Sequence, residues 1–215
     1  MSARENILAR IAKARGQAAT ADIEDVIRRH PRGPIPPLEK NLAQRFGEQA
    51  TRLASDVAGA ATMTEVPGLV ARYLSERGLP MQAVCWPGLA ALDWRAAGIA
   101  AQARAARGDD MVGITGAFAG IAETGTLMLL SGPQTPATAS LLPETHIAVV
   151  EKARIVATME DAWDRLRNEH GKLPRAVNFV SGPSRTADVE QTVTLGAHGP
   201  YRVLIIVVGE GFLSK

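Results

Sequence analysis

Apolar positions change their period along this chain, and each change marks a predicted element. In residues 4–15, Ile7, Leu8 and Ile11 share one face of a 3.6-residue repeat, and Gly16 closes the segment. A shorter amphipathic piece, 22–29, runs into His30-Pro-Arg-Gly-Pro-Ile-Pro-Pro37, whose prolines favour polyproline II over helix. Helical spacing returns with Leu38, Leu42, Phe46, Leu53 and Val57, while Lys40, Arg45, Glu48 and Arg52 take other faces. Beyond it, short apolar runs predict strands at 82–86, 112–115, 126–130, 147–150, 176–180 and 202–208. Helices are predicted at 67–77, 159–169 and 186–195. The second of these carries its own signals: Thr158 as cap, Asp161 three residues on, and Gly171 past the end.

Strands alternating with helices predict an α/β fold, a sheet flanked by helices. One interval breaks the alternation. The residues between Thr115 and Thr126 are too few for a crossover helix, so those strands pair antiparallel or flank an irregular loop. The sheet is therefore expected to be mixed and mostly parallel. Residues 1–37 read as an N-terminal helical arm with a proline-rich linker, and 38–215 as the α/β domain. The arm's apolar stripe is too small to fold alone, so it must dock on this chain or on a partner.

Composition narrows the function. The chain has 215 residues, enough to bury a substantial core, and is 46% hydrophobic and 21% charged, as globular proteins are. Basic residues (24) and acidic ones (22) are spread along it, and the 4% of aromatics are not interleaved with basic runs, which argues against nucleic-acid binding. The aliphatic run 203–208 is too short to span a bilayer, and the first residues enter no apolar signal region. A cytoplasmic location and no membrane span are expected. The single cysteine, Cys85, excludes an internal disulfide and cannot hold an iron–sulfur cluster, which takes about four thiolates. It reads as a buried thiol in a strand.

Two polar clusters carry the candidate chemistry. Ser181-Gly-Pro-Ser-Arg-Thr-Ala-Asp-Val-Glu190 sets three hydroxyls, a guanidinium and two carboxylates between a strand and the predicted helix 186–195, with Thr186 as N-cap. The end of a strand in an α/β sheet is a natural ligand position. Arg185 suits a carboxylate or phosphate, or else an ion pair with Asp188 or Glu190, which already occupy the positive helix end. Ser181, Ser184 and Thr186 serve equally as turn and cap residues, and no G-x-S-x-G elbow marks Ser184 as a nucleophile. The second cluster spans 116–126. Gly120 and Gly125 have P-loop spacing, but Thr126 stands where the lysine belongs, and no G-x-G-x-x-G occurs. Glu123 either caps backbone N–H groups or faces a ligand. His30, His146, His170 and His198 show no metal spacing, so no metal site is expected. His170 fits a helix C-terminus, and His198 either makes a structural hydrogen bond or does acid–base work.

Taken in order, Gly120-Ile-Ala-Glu-Thr-Gly125, Leu142-Pro143…His146, the 181–190 cluster and Gly196-Ala-His-Gly-Pro200 resemble the lactate utilization protein C family, defined by the LUD domain. The resemblance runs from about Glu39 to Gly209. It implies a fold of the NagB/RpiA/CoA-transferase-like group. It also implies a part in a three-protein system that oxidises L-lactate to pyruvate, with cysteine-rich and iron–sulfur partners carrying the redox centres. This chain would then hold no cofactor of its own, which suits its one cysteine. Under that reading Glu123, Thr124, Gly125, Ser181, Gly182, Ser184, Arg185, Thr186, Asp188 and His198 line a pocket for a small carboxylate or phosphate. The alternative is a stand-alone acyl-thioester or nucleotide-dependent transferase with Glu123 as nucleophile and His198 as a further catalytic candidate.

Overall fold

A computed structural model describes residues 2–15, 41–187, 193–196 and 199–212. The backbone falls into two units, Met1–Pro36 and Pro37–Lys215. In the first, helix α1 (Ala3–Arg15) opens on a reciprocal cap. The Ser2 N–H donates to Glu5 Oε2 at 2.6 Å, and the Glu5 N–H donates to Ser2 Oγ at 3.3 Å. Its Ile7, Leu8 and Ile11 are exposed. The predicted piece 22–29 and the proline-rich 30–37 lie outside the described residues.

The second unit begins with α2 (Leu42–Arg52), capped by Asn41 Oδ1, which accepts from the Gln44 N–H at 3.2 Å. The predicted helix continued through Val57; the observed one stops a turn earlier. Ala54 adopts φ 64°, its N–H reaches the Thr51 carbonyl at 2.9 Å, and the Ser55 N–H reaches the Ala50 carbonyl at 3.0 Å. This is a Schellman closure with alanine in the left-handed position usually held by glycine. Val57 instead lies on strand β1 (Asp56–Ala60), whose small residues show no strand alternation.

The chain continues with α3 (Val66–Glu76), β2 (Gln82–Cys85), β3 (Ala100–Ala103), β4 (Val112–Gly116), β5 (Ala119–Ile121) and β6 (Thr126–Leu130). Next come α4 (Thr138–Leu141), β7 (Thr145–Glu151), β8 (Ile155–Val156), α5 (Met159–Glu169) and β9 (Val177–Val180). Strands β10 (Arg185–Ala187), β11 (Val193–Leu195) and β12 (Arg202–Val208) close the order. A six-stranded sheet, β1-β12-β7-β4-β2-β3, is parallel at every pairing. A second sheet, β8-β5-β6-β9, contains the antiparallel pairs β5/β6 and β6/β9. The α/β reading holds. The predicted strands 112–115 and 126–130 do not pair with each other: β4 joins the parallel sheet, while β6 finds its antiparallel partners β5 and β9 in the second sheet, so the large sheet is uniformly parallel and not mixed.

The central strands β12 and β7 read as unbroken apolar runs because both faces of their sheet are covered. On one face Val66, Val70 and Leu74 of α3 pack on Ile114, Ile147, Leu204 and Ile206. On the other, Phe46 and Ala50 of α2 join Leu127 and Leu129 of the second sheet over Ala148, Val150 and Ile205. Helix α5 covers the far side of the second sheet through Ala162 and Leu166 against Ile121 and Met128. Each such buried aliphatic side chain stabilises the fold by about 1.5–3 kcal/mol. The capping box predicted at Thr158 and Asp161 forms, with bonds of 3.1 and 3.2 Å.

One prediction fails among the described residues: 186–187 and 193–195 of the expected helix 186–195 are strands. Strands β10 and β11 form an antiparallel hairpin that pairs Arg185 with Leu195 and Ala187 with Val193. The β-branched run Thr192-Val-Thr194 favours extended backbone, and this preference outweighed the cap-like pattern at Thr186 and Asp188.

Candidate functional site

Seven of the residues singled out in the sequence, Glu123, Thr124, Gly125, Ser181, Gly182, Ser184 and Arg185, lie at a corner where α2 ends and the parallel strands begin. The β6–β9 pairing sets Thr126 beside Ser181, and their hydroxyls meet at 2.7 Å. Thr124 Oγ1 donates to Thr126 Oγ1 at 2.8 Å, so three hydroxyls form a chain that ends at the exposed Thr124. Glu123 is half-buried in the tight turn between β5 and β6, and its N–H donates to the Ala157 carbonyl at 3.0 Å. Its carboxylate makes no hydrogen bond to a described residue.

The glycines of both motifs serve packing. Gly125 (φ 68°) lies against the α2 backbone, where a Cβ would stand 2.5 Å from the Gln49 carbonyl carbon and 2.8 Å from Ala50 Cα. Gly182 (φ 77°) presses on Leu53, where a Cβ would overlap the carbonyl oxygen. Gly120 faces the Phe46 ring, 3.1 Å from where its Cβ would be. These positions require glycine because the α2 segment passes close by.

Arg185 is exposed and donates from Nη2 to the Leu53 carbonyl at 3.4 Å, at the negative end of α2. The Ser184 N–H donates to the Pro200 carbonyl at 2.7 Å, and the Gly196 N–H donates to the Ser184 carbonyl at 2.9 Å. Thr186 contributes backbone to β10. Asp188, Glu190 and His198 lie outside the described residues. The corner therefore joins Glu123, Thr124, Gly125, Ser181, Gly182, Ser184 and Arg185.

The position of this corner differs from expectation. Ser181 follows β9, but β9 belongs to the second sheet. Relative to the parallel sheet the corner sits at the amino ends: the Tyr201 and Arg202 N–H groups donate to the Glu144 carbonyl at 3.1 and 3.2 Å, just where β7 and β12 start. The Leu142–His146 motif supplies that junction. His146 points into the core, fully buried, with Nε2 2.8 Å from Thr115 Oγ1 and Nδ1 without a partner among the described residues. Burial pulls its pKa down to about 4, so the ring is neutral at pH 7. Cys85 is also buried, and burial raises its thiol pKa, as suits a structural residue. Among the described residues no group of three or more His, Cys, Asp or Glu could hold a metal ion.

The corner offers an exposed hydroxyl, a half-buried carboxylate and an exposed guanidinium. That set suits holding a polar ligand or partner. The neutral His146 is sealed away from it in the core.

Comparison with known proteins gives this geometry a family. The LUD domain model matches residues 43–208. "Lactate utilization protein C" of Shouchella clausii is 41% identical over 101 residues, 46% of this chain and 44% of that protein. The protein of the same name in Bacillus subtilis is 38% identical over 102 residues, 46% of this chain and 42% of that one. The matched stretch thus spans less than half the length of these curated relatives. A crystal structure of a DUF162 family protein from Deinococcus radiodurans superposes with a TM-score of 0.62 at 26% identity, covering 80% of this chain and 100% of that one.

Proposed function

We propose, from the premise that this chain belongs to the LUD domain family, that it is the non-redox subunit of a cytoplasmic system oxidising L-lactate to pyruvate. The observation that carries the reading is the family match together with curated relatives named for lactate utilization. The side-chain inventory supports it. Two-electron oxidation of a hydroxy acid needs an electron acceptor, and the one thiol in these 215 residues is buried. The acceptor chemistry then belongs to cysteine-rich and iron–sulfur partner proteins. Among the described residues no helix is long and apolar enough to cross a membrane.

In this reading the amino-end corner is the ligand- or partner-facing surface, with Arg185 pairing a carboxylate and Glu123 and Thr124 orienting it. The exposed apolar face of α1 is a second contact for a partner, and residues 1–37 act as a docking arm. Deleting the gene in a host without a redundant system should abolish growth on L-lactate while growth on pyruvate continues. Unchanged growth on lactate would remove the proposal. Complementation with Glu123→Ala and Arg185→Gln then tests the corner: both should restore growth poorly while the protein remains folded.

A further inference from the structure

The parallel sheet has a second end, away from the Glu123–Arg185 corner, which Gly116 and Ala117 at the start of the second polar cluster reach. At the carboxyl ends of β2, β4 and β7 lies a crevice of 320 Å³. It sits where neighbouring strands send their chains to opposite faces. After β2 the chain joins the α3 face through Leu89, Trp94 and Ile99. After β4 it joins the other face through Ala122, Leu127 and Leu129. Strands β2 and β4 are direct neighbours, Cys85 pairing with Ile114. A crevice at such a reversal, outside the carboxyl ends of the strands, is where open α/β sheets take ligands.

The walls are tied in place. Trp86 Nε1 donates to the Pro136 carbonyl at 3.1 Å, which anchors the loop carrying Gln134 and Thr135 along the crevice. That loop is also closed by backbone bonds between Gly132 and Thr135 at 3.3 and 3.1 Å. Gly116 forms part of the floor beside the Trp86 ring. Met63, Leu89 and Val149 make one side apolar.

The charged wall is Arg154. Its Nη1 donates to Glu169 Oε2 at 2.9 Å and to the Phe118 carbonyl at 3.4 Å, and its guanidinium stands 5.1 Å from the Phe118 ring centroid. Glu169 is shared, because Arg165 Nε also donates to it at 2.8 Å. Hydrogen bonds from Arg165 and Arg154 hold the Glu169 carboxyl below its ordinary pKa, so it stays ionised. Two guanidiniums around one carboxylate leave a surplus positive charge. Nε and Nη2 of Arg154 make no hydrogen bond to a described residue, so a rigidly held fork has donors to spare. Glu151 is exposed on the same lining and makes no ion pair with Arg154 among the described residues. Its charge disfavours an acid bound with its carboxylate on the Glu151 side and directs the headgroup to Arg154.

We infer that this crevice binds an organic monocarboxylate, with the carboxylate on Arg154 and an apolar body against Met63, Leu89 and Trp86. The site stands on its own geometry and does not rest on the lactate reading; its volume suits a body larger than lactate.

Calorimetric titration of the full chain with acetate, butanoate, hexanoate, hexanamide and inorganic phosphate tests it. The acids should bind at one equivalent, with affinity rising up to about fourfold per added methylene. Hexanamide and phosphate should bind at least about tenfold more weakly than hexanoate, and Arg154→Gln should cost hexanoate about ten- to a hundredfold. Should Arg154→Gln fail to fold, Gly116→Leu decides, because it fills the crevice and should abolish hexanoate binding. Absence of saturable acid binding, phosphate or hexanamide matching hexanoate, or full affinity in Gly116→Leu would each overturn the inference.

Discussion

Acidification should destabilise this protein through one side chain, His146, before its carboxylates begin to protonate in bulk. The ring is fully buried on the face of the parallel sheet shared with Ala148, Val203 and Ile205, is bonded among the described residues only to Thr115, and its pKa is drawn from 6.5 to about 4. The unfolded chain takes up a proton near pH 6.5, whereas the native state resists until about pH 4. Unfolded molecules therefore bind more protons in that window, and stability must fall as pH falls. The contribution is fully present above pH 6.5, declines by up to about 1.4 kcal/mol per pH unit, and is gone below pH 4, a total of about 3 kcal/mol. Urea unfolding at pH 7.0, 6.0 and 5.0 reads this slope, and His146→Gln isolates it, since the amide can still bond Thr115 but does not titrate. Between pH 6 and 5 the wild type should lose about 1 kcal/mol more than the variant. Parallel pH dependence in the two proteins, or an NMR titration of the folded ring centred near pH 6.5, would refute the reasoning.

Further expectations concern the corner and the helices that build it. Ala54→Gly should raise stability by about 0.5–1 kcal/mol, because relief of the left-handed conformation exceeds the added chain entropy; a thermal midpoint below wild type would count against it. Gly125→Ala should cost more than about 2 kcal/mol, since its Cβ collides with the α2 backbone, while Gly68→Ala on the exposed face of α3, with nothing within 4 Å, should gain up to about 1 kcal/mol. Equal urea midpoints for these two variants would undo the packing account of the motif glycines. Ser181→Ala should cost about 1 kcal/mol by breaking the hydroxyl chain at Thr126, measurable by the same unfolding curves. If Glu123 forms a covalent acyl intermediate, mass spectrometry after incubation with acyl-thioesters should detect the adduct, and turnover that survives Glu123→Ala would exclude that alternative.

Legibility followed the strength of local signals. Strands 126–130 and 202–208 were read to the residue because long apolar runs bounded by turn residues leave few alternatives, and α5 because its cap and its period agree. Strands β1, β3 and β5 were missed. Their sequences, Asp-Val-Ala-Gly-Ala, Ala-Ala-Gln-Ala and Ala-Gly-Ile, carry little apolar period, and only pairing to a neighbour makes them strands. The hairpin at 185–195 was misread because cap-like residues also begin turns.

The corner shows the same division. Hydroxyls, glycines and Arg185 could be picked out by type, but whether a ligand or another backbone approaches the glycines was open in the sequence, and the close neighbour the structure shows is the α2 segment. No local pattern shows that α2 passes within contact of Gly120, Gly125 and Gly182, since these approaches join residues more than seventy positions apart. Arg154 and Gln134 carried no motif, and they meet Gly116 of the 116–126 cluster because the chain leaves β2 and β4 toward opposite faces.

The sequence by itself determined the α/β class, the strong helices and strands, the family motifs and the shortage of thiols, all properties of local period and residue type. Tertiary structure alone decided that pairing would separate into a parallel and a largely antiparallel sheet, that the motif corner would sit at the amino ends, and that a second crevice would open at the carboxyl ends. The physical reason is that register and handedness are set by long-range burial of both sheet faces, and no single segment contains that information.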